Sequence, residues 1–182
     1  MKSPSRSHVT LGRRENSDLA GDGMLELTPE AFAPFGRVMD FHAQQVPGSS
    51  AFLSAATSFF RASLFEPGAD GTTDLLWVSY DRAEPPEDFE AHLLTEQALI
   101  PITGTIVQHL FRDDVDDGTV NRCLVRPGQG IVMSPGSFHT TTSVDGEALC
   151  LMVSRVSTTD DLSRSLQTGC QASETVFAPP PG

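Results

Sequence analysis

Glu90, His92, Gln97 and His139 are the residues of this chain whose types and spacing could do chemistry together. Side chains alternate along an extended strand, so Glu90 and His92 share a face. Gln97 lies across a hairpin from them, at the start of Gln97-Ala98-Leu99-Ile100-Pro101. Pro135-Gly136 forces a tight bend just ahead of Phe138-His139, which would return His139 toward that hairpin. One carboxylate, one amide and two imidazoles would then converge. Without a metal, His92, His139 and Glu90 suit general acid and base work: imidazole titrates nearest neutrality, and a neighbouring carboxylate orients the ring or shares its proton. With His92, Gln97 and His139 as ligands, the same cluster could hold a divalent cation such as Mn, Fe, Ni or Zn, although an amide replaces the usual anionic ligand. A third reading is a set of satisfied polar groups closing the mouth of a barrel.

Two arginines bear on the substrate. Arg61 interrupts the apolar run Phe59-Phe60-Arg61-Ala62-Ser63-Leu64, where a guanidinium is costly unless paired. Pointing inward it would clamp a substrate carboxylate; pointing outward it is an edge-strand charge. Arg82 follows a strand and reads as a turn or rim residue. His109 falls by alternation with Thr105 and Val107, facing either the barrel or the surface, with Arg112 just beyond it. His42 reads as a loop residue.

The elements that must position these groups are almost entirely β. Short apolar or alternating runs are predicted as strands at 37–41, 51–54, 58–65, 74–80, 88–93, 97–101, 104–111, 122–126, 130–133, 138–144 and 147–154, separated by Gly, Pro and Asp clusters. Asp116-Asp117-Gly118 and Asp145-Gly146 are hairpin-turn sequences. So many short strands imply an all-β barrel or jelly roll. A short N-terminal helix is marked by Thr28 as cap, Pro29 in the first turn and Glu30 against the dipole, ending at Gly36. Thr158-Thr159-Asp160-Asp161 caps a second short helix toward Leu166. Residues 1–22 read as a disordered arm, 23–156 as the folded domain, and 157–182 as the C-terminal helix and a frayed tail.

The chain has 182 residues, enough for one substantial core. Its formal charge of −12 repels phosphate backbones and anionic headgroups, which argues against nucleic-acid and membrane partners. No apolar run approaches a membrane span and no h-region follows the N-terminal basic residues, so the expected location is cytoplasmic. Cys123, Cys150 and Cys170 are odd in number and widely spaced, giving neither a disulfide framework nor a thiolate zinc site. Cys123 and Cys150 fall in apolar strands and read as small buried filler.

The two hairpins resemble the two-part cupin signature in degenerate form. Glu90 takes the first His position, His92 the second, Gln97 the Glu position and His139 the last, with Gly104, Gly130 and Pro135-Gly136 at near-cupin spacing. More narrowly, the chain from Leu27 to Arg155 resembles the ureidoglycolate lyase family of cupin-like enzymes. That resemblance rests on Leu27-Thr28-Pro29-Glu30-Ala31-Phe32 running to Gly36-Arg37-Val38, the Arg61 strand, Arg82-Ala83, Glu90-x-His92 with Gln97 to Pro101, and Gly130 leading to Phe138-His139. It implies a homodimeric lyase that splits ureidoglycolate into glyoxylate and urea without a redox cofactor. His92, His139 and Glu90 would carry protons, while Arg61, Gln97 and Arg82 would contact a small carboxylate substrate. Thr140 stands where the family has a second His, so the resemblance places substrate specificity there. A metal-dependent dioxygenase or isomerase and a non-catalytic binding cupin are the alternatives.

Overall fold

The computed structural model describes residues 24–40, 51–53, 58–68, 71–81, 89–114, 120–144, 146–156 and 158. The expected N-terminal arm, the turn at 116–118, His42, Arg82, Cys170 and all of the expected C-terminal helix except Thr158 lie outside them. The described elements are β1 (Met24–Leu25), α1 (Pro29–Phe32), β2 (Gly36–Asp40), β3 (Ala51–Leu53), β4 (Ser58–Phe60), β5 (Thr73–Tyr80), β6 (Gln97–Thr103), β7 (Ile106–Phe111), β8 (Asn121–Val125), β9 (Gln129–Met133), β10 (Phe138–Ser143) and β11 (Ala148–Arg155). No described helix is long and apolar enough to cross a membrane.

The strands form a four-stranded sheet ordered β1-β8-β7-β10, a five-stranded sheet ordered β2-β9-β6-β11-β5, and a separate β3-β4 ribbon. The neighbours β5-β11-β6-β9 make one layer, and the other runs from an isolated bridge at Glu90 through β10 and β7 to β8. From β5 onward the chain crosses between these layers at every connection except the one joining β7 to β8. This is the order of a jelly roll in which one strand has shrunk to a single bridged residue. Of the strand expected over 88–93, the described residues 89–93 form none: Glu90 makes a single bridge to His139, and 91–96 is irregular chain. The all-β, cupin-like reading holds, and β1, which runs parallel to β8, was not foreseen.

Alternation explains the core. On the four-stranded sheet, Ile106 and Leu110 of β7 face inward opposite Val125 of β8, while on the other sheet Leu99, Cys150 and Ala148 do the same; all are fully buried or nearly so. Cys123 and Cys150 are buried free thiols, and burial pushes both up, Cys123 to about 12 and Cys150 to about 11. They are filler, as their apolar strands implied.

Helix α1 matters for the backbone it leads into. Thr28 Oγ1 accepts from Ala31 N at 3.1 Å, and Phe32 and Phe35 insert into the core. The helix ends at Phe32, capped by Ala33, rather than running to Gly36. Gly36 instead opens β2, where an added Cβ would stand 1.9 Å from the Val132 carbonyl oxygen. Glycine is needed there for backbone approach, not for helix termination. The carbonyl of Phe35 then accepts from Ser134 N at 2.8 Å and from Ser137 Oγ at 3.0 Å, pinning the turn that leads into β10.

Candidate active site

The turn Ser134-Pro135-Gly136-Ser137 is built as its sequence dictates. Pro135 occupies the position that wants a fixed negative φ, Gly136 has φ +79°, and Ser137 N donates to Ser134 O at 3.2 Å. Two residues later His139 enters β10 opposite Leu110, on the inner face. Its backbone exchanges two hydrogen bonds with Glu90: Glu90 N donates to His139 O at 3.0 Å, and His139 N donates to Glu90 O at 2.7 Å. Directly opposed residues in such a pair hold their side chains on the same face. His92 is fixed from the same turn, its carbonyl accepting from Gly136 N at 2.8 Å.

The result is the expected cluster. His139 Nε2 lies 3.5 Å and His92 Nε2 3.9 Å from Glu90 Oε1, and the imidazole centroids are 5.2 Å apart. Both histidines are buried, whereas the Glu90 side chain is 37% exposed. Gln97, buried at the start of β6, sets its amide nitrogen 2.9 Å from His92 Nε2.

His139 has a defined tautomer. Its Nδ1 lies 2.9 Å from the Ser137 carbonyl oxygen, which can only accept, so Nδ1 carries the hydrogen. Nε2 is buried without a hydrogen-bond partner and presents a lone pair toward the Glu90 carboxylate. Burial works to raise the Glu90 carboxyl, but the adjacent imidazoles of His139 and His92 outweigh it and hold the carboxyl below its usual range.

Glu90, His92 and His139 can each offer one ligand atom, all within 4.8 Å of one another. With the lone pair on His139 Nε2, this donor set fits a divalent cation, which would supply Lewis-acid polarisation of a carbonyl oxygen. Glu90, with His92 and His139, belongs to the cluster expected from sequence. Gln97 bonds the ring nitrogen of His92.

Arg61 does not take its expected inward place. It follows β4 on an exposed stretch of chain, where the guanidinium keeps its hydration. Among the described residues no Lys or Arg joins the cluster. Thr140 is displaced from the site by alternation: it pairs with His109 on the outer face, where His109 Nε2 lies 3.1 Å from Thr142 Oγ1. His109 is therefore buried on the far side of the sheet from His139. Burial, followed by the charge of Arg122, pushes its imidazole below the usual value. Arg112 pairs with Asp114 at 2.8 Å at the end of β7.

Inward, the same alternation supplies residues the sequence reading passed over. Thr141 follows His139 by two on β10 and donates to Gln108 Oε1 at 2.9 Å. Gln108 is fully buried on β7. Tyr80 at the end of β5 packs against the core opposite Ala148. Counting by two from His139 finds Thr141. Finding Gln108 and Tyr80 also requires the strand pairing.

The strand order and the polar interior define a cupin-like jelly roll with a carboxylate–imidazole cluster at one bridged residue pair. No protein-family model and no curated protein matches the chain. Solved structures that align with it include a 3,4-ketoisomerase from Helicobacter canadensis, with 16% identity over 72% of this chain and 92% of that chain and a TM-score of 0.47. Another is QdtA, a sugar 3,4-ketoisomerase from Thermoanaerobacterium thermosaccharolyticum in complex with TDP, with 11% identity, coverage of 72% and 95%, and a TM-score of 0.44. A third, Drosophila melanogaster CENP-C bound to CAL1, aligns at 14% identity over 60% of this chain and 72% of that chain with a TM-score of 0.38. Likenesses this distant carry no functional meaning, so chemistry has to come from the site's own residues.

Proposed function

We propose that this protein is an enzyme that moves a proton between neighbouring atoms of a small, uncharged hydroxy-carbonyl compound. The observation that carries the reading is the buried lone pair of His139 Nε2, fixed by the Ser137 carbonyl and set 3.5 Å from Glu90 Oε1. His139 takes a proton from the carbon beside the carbonyl, leaving an enediolate, and the imidazolium is stabilised by Glu90. Returning that proton to the adjacent carbon, while the hydroxyl hydrogen passes to the former carbonyl oxygen, shifts the carbonyl by one position, an isomerisation with no net redox change. Because no Lys or Arg among the described residues joins the cluster, an uncharged substrate is favoured over the expected carboxylate, which Glu90 would repel.

A second reading keeps the ureidoglycolate lyase resemblance, whose Glu90, His92 and Gln97 do gather at one place. There the same base would remove the hydroxyl proton of ureidoglycolate and deliver it to the departing urea nitrogen. Proton NMR in D2O separates the two. Dihydroxyacetone and glyceraldehyde should exchange their carbon-bound hydrogens for deuterium with wild-type protein and not with His139→Gln. Release of glyoxylate from ureidoglycolate without exchange in the trioses would favour the lyase. Exchange retained in His139→Gln would overturn the assignment of the base.

The homodimer implied by the resemblance is carried forward as a proposal. Its candidate surface is the outer face of the edge strand β5, where Leu75 is 70% and Trp77 68% exposed beside Leu149, Leu151 and Val153 of β11. The patch itself is apolar and is bounded by Glu147, which accepts from Ser79 Oγ at 2.6 Å.

A further inference from the structure

The strand order identifies what lies across the interior from Glu90 and His139. Short connections join β6 to β7, β8 to β9 and β10 to β11, so each of these pairs stands face to face. β5, the neighbour of β11, therefore stands opposite Glu90, the neighbour of β10, and β5 approaches β10 across the gap. Height along the strands follows from the β10–β11 connection. His139 lies four residues before Ser143, where β10 ends, and Met152 four residues after Ala148, where β11 begins. At about 3.3 Å per residue both stand roughly 13 Å from that connection, on the inner faces. Met152 packs against the core and pairs with Leu76, as His139 is bridged to Glu90. Leu76 and Met152 thus face Glu90 and His139 across the roughly 10 Å between stacked sheets. The interior also opens along this edge. In one layer exposure falls from Leu76 at 41% through half-buried Met152 to fully buried Leu99; in the other it falls from Glu90 through buried His139 to fully buried Leu110. The layers close on one core at Leu99 and Leu110 and reach water together at Leu76 and Glu90.

We infer that Leu76 and Met152 form an apolar subsite that takes an aliphatic substituent of the substrate while Glu90 and His139 work on its hydroxy-carbonyl end. The inference rests on the proposed isomerase reading for the identity of that end, and it narrows the substrate class to alkyl hydroxy-ketones rather than polyols. Val78, two residues from Leu76 on the same face, pairs with Cys150 and continues the wall. These side chains carry no strong hydrogen-bonding group, so a polyol laid against them would lose hydration without replacement. An alkyl chain would instead remove its own surface and that of Leu76 from water. Met152 has three rotatable bonds and adapts to the shape of such a chain. Asp74, the next inward residue beyond Leu76, ends the wall with a carboxylate, which like Glu90 disfavours an anionic substituent.

Hydroxyacetone, 1-hydroxy-2-butanone and 1-hydroxy-2-hexanone present one reacting end with a methyl, ethyl or butyl chain, and serve as the probes. With full-length protein followed by ligand-observed NMR, Kd should fall about twofold to fourfold for each added methylene. Leu76→Ala should reduce that dependence to less than about 1.5-fold per methylene. Leu75→Ala, one residue away on the outer face, should keep it. The inference is overturned if wild type shows no dependence on chain length, if the dependence survives in Leu76→Ala, or if Leu75→Ala loses it equally. Binding is read without turnover, so a length dependence carried by Leu76 with no deuterium exchange in any probe would sustain the subsite while refuting the isomerase reading. Exchange without length dependence would do the reverse. Should Leu76→Ala fail to fold, Leu76→Thr, which keeps a strand-forming side chain and shortens the hydrocarbon, decides in its place.

Discussion

Glu96→Gln should destabilise the protein by about 3 kcal/mol, although Glu96 touches none of the acid–base pair. Its buried carboxylate accepts from Arg37 Nη1 at 2.7 Å, from Arg37 Nη2 at 2.8 Å and from Glu66 N at 2.9 Å. These bonds tie β2 and the 61–68 segment to the residue just before Gln97. A hydrogen bond to a charged group contributes about 1.5–3 kcal/mol, so three would suggest roughly 4.5–9 kcal/mol taken alone. The Arg37 side chain is 44% exposed and screened by water, and an amide keeps one acceptor, which reduces the loss to about 3 kcal/mol. For a chain of this size that is a fall in Tm of roughly 6–12 °C. Burial works to raise the Glu96 carboxyl, but Arg37 and the Glu66 amide outweigh it and depress the pKa. The sign follows: the carboxylate's contribution is present above the unfolded value of about 4.3 and is lost as pH falls through the lower folded value. Glu96→Gln should therefore flatten the acid limb of the stability profile. Thermal and urea unfolding of wild type, Glu96→Gln, Arg37→Met and the double variant measure the coupling. A Tm change under 2 °C, or single effects that add within about 0.5 kcal/mol, would refute the assignment of this clamp.

Thr140→Val should leave turnover within about twofold, because its side chain faces His109 across the outer surface of the sheet, whereas Thr141→Val should lower it about tenfold; equal effects in steady-state assays would mean the faces are misassigned. His109→Gln should reduce the stability lost as pH falls from about 6.5 through the lower folded value, since the buried imidazole resists a proton that the unfolded chain accepts. Urea midpoints between pH 7 and pH 5 test this, and parallel profiles would count against it. Zn²⁺ or Mn²⁺ should raise the Tm of wild type and not of Glu90→Ala, by mass action on the three-donor cluster; equal shifts would place any bound cation elsewhere. Trp77→Glu should convert a dimer to a monomer in sedimentation velocity, and an unchanged sedimentation coefficient would remove the β5 face from consideration.

Which parts of this molecule could be read from its sequence depends on how local each cause is. The Thr28 cap and the Pro135-Gly136 turn are set by neighbours in sequence, and both were legible. Alternation within a strand is equally local, yet the family resemblance drew attention to Thr140 when counting by two from His139 points to Thr141. Arg61 was ambiguous for a better reason: a guanidinium in an apolar run is decided by which face the sheet covers, and no single strand contains that information. Gly36 was misread because its requirement comes from Val132, nearly a hundred residues away, rather than from the helix beside it. Gln108 was invisible on the same grounds, since it becomes significant only through Thr141, on another strand.

The loss of regular strand at 89–93 and the geometry of the site have one cause in common. A full strand there would hold Glu90 and His92 at fixed alternation, with their histidine partner set by a ladder several residues long. One bridge holds Glu90 instead, through two backbone bonds to His139, while Gly136 separately holds His92 by its carbonyl. The carboxylate and the imidazole are thereby placed as directly opposed residues, as rigidly as in a sheet, and the chain beyond Glu90 is free of ladder geometry. That freedom lets His92 turn toward both Glu90 and Gln97, and it leaves Leu93 and Leu94 exposed in the adjoining bend. The turn that supplies the bridge is itself held by the Phe35 carbonyl after α1, and its Ser137 carbonyl selects the tautomer of His139. Helix α1, the turn and the His139 ring therefore form one mechanical sequence, and the orientation of His139 is held by a fold element that never enters the cluster.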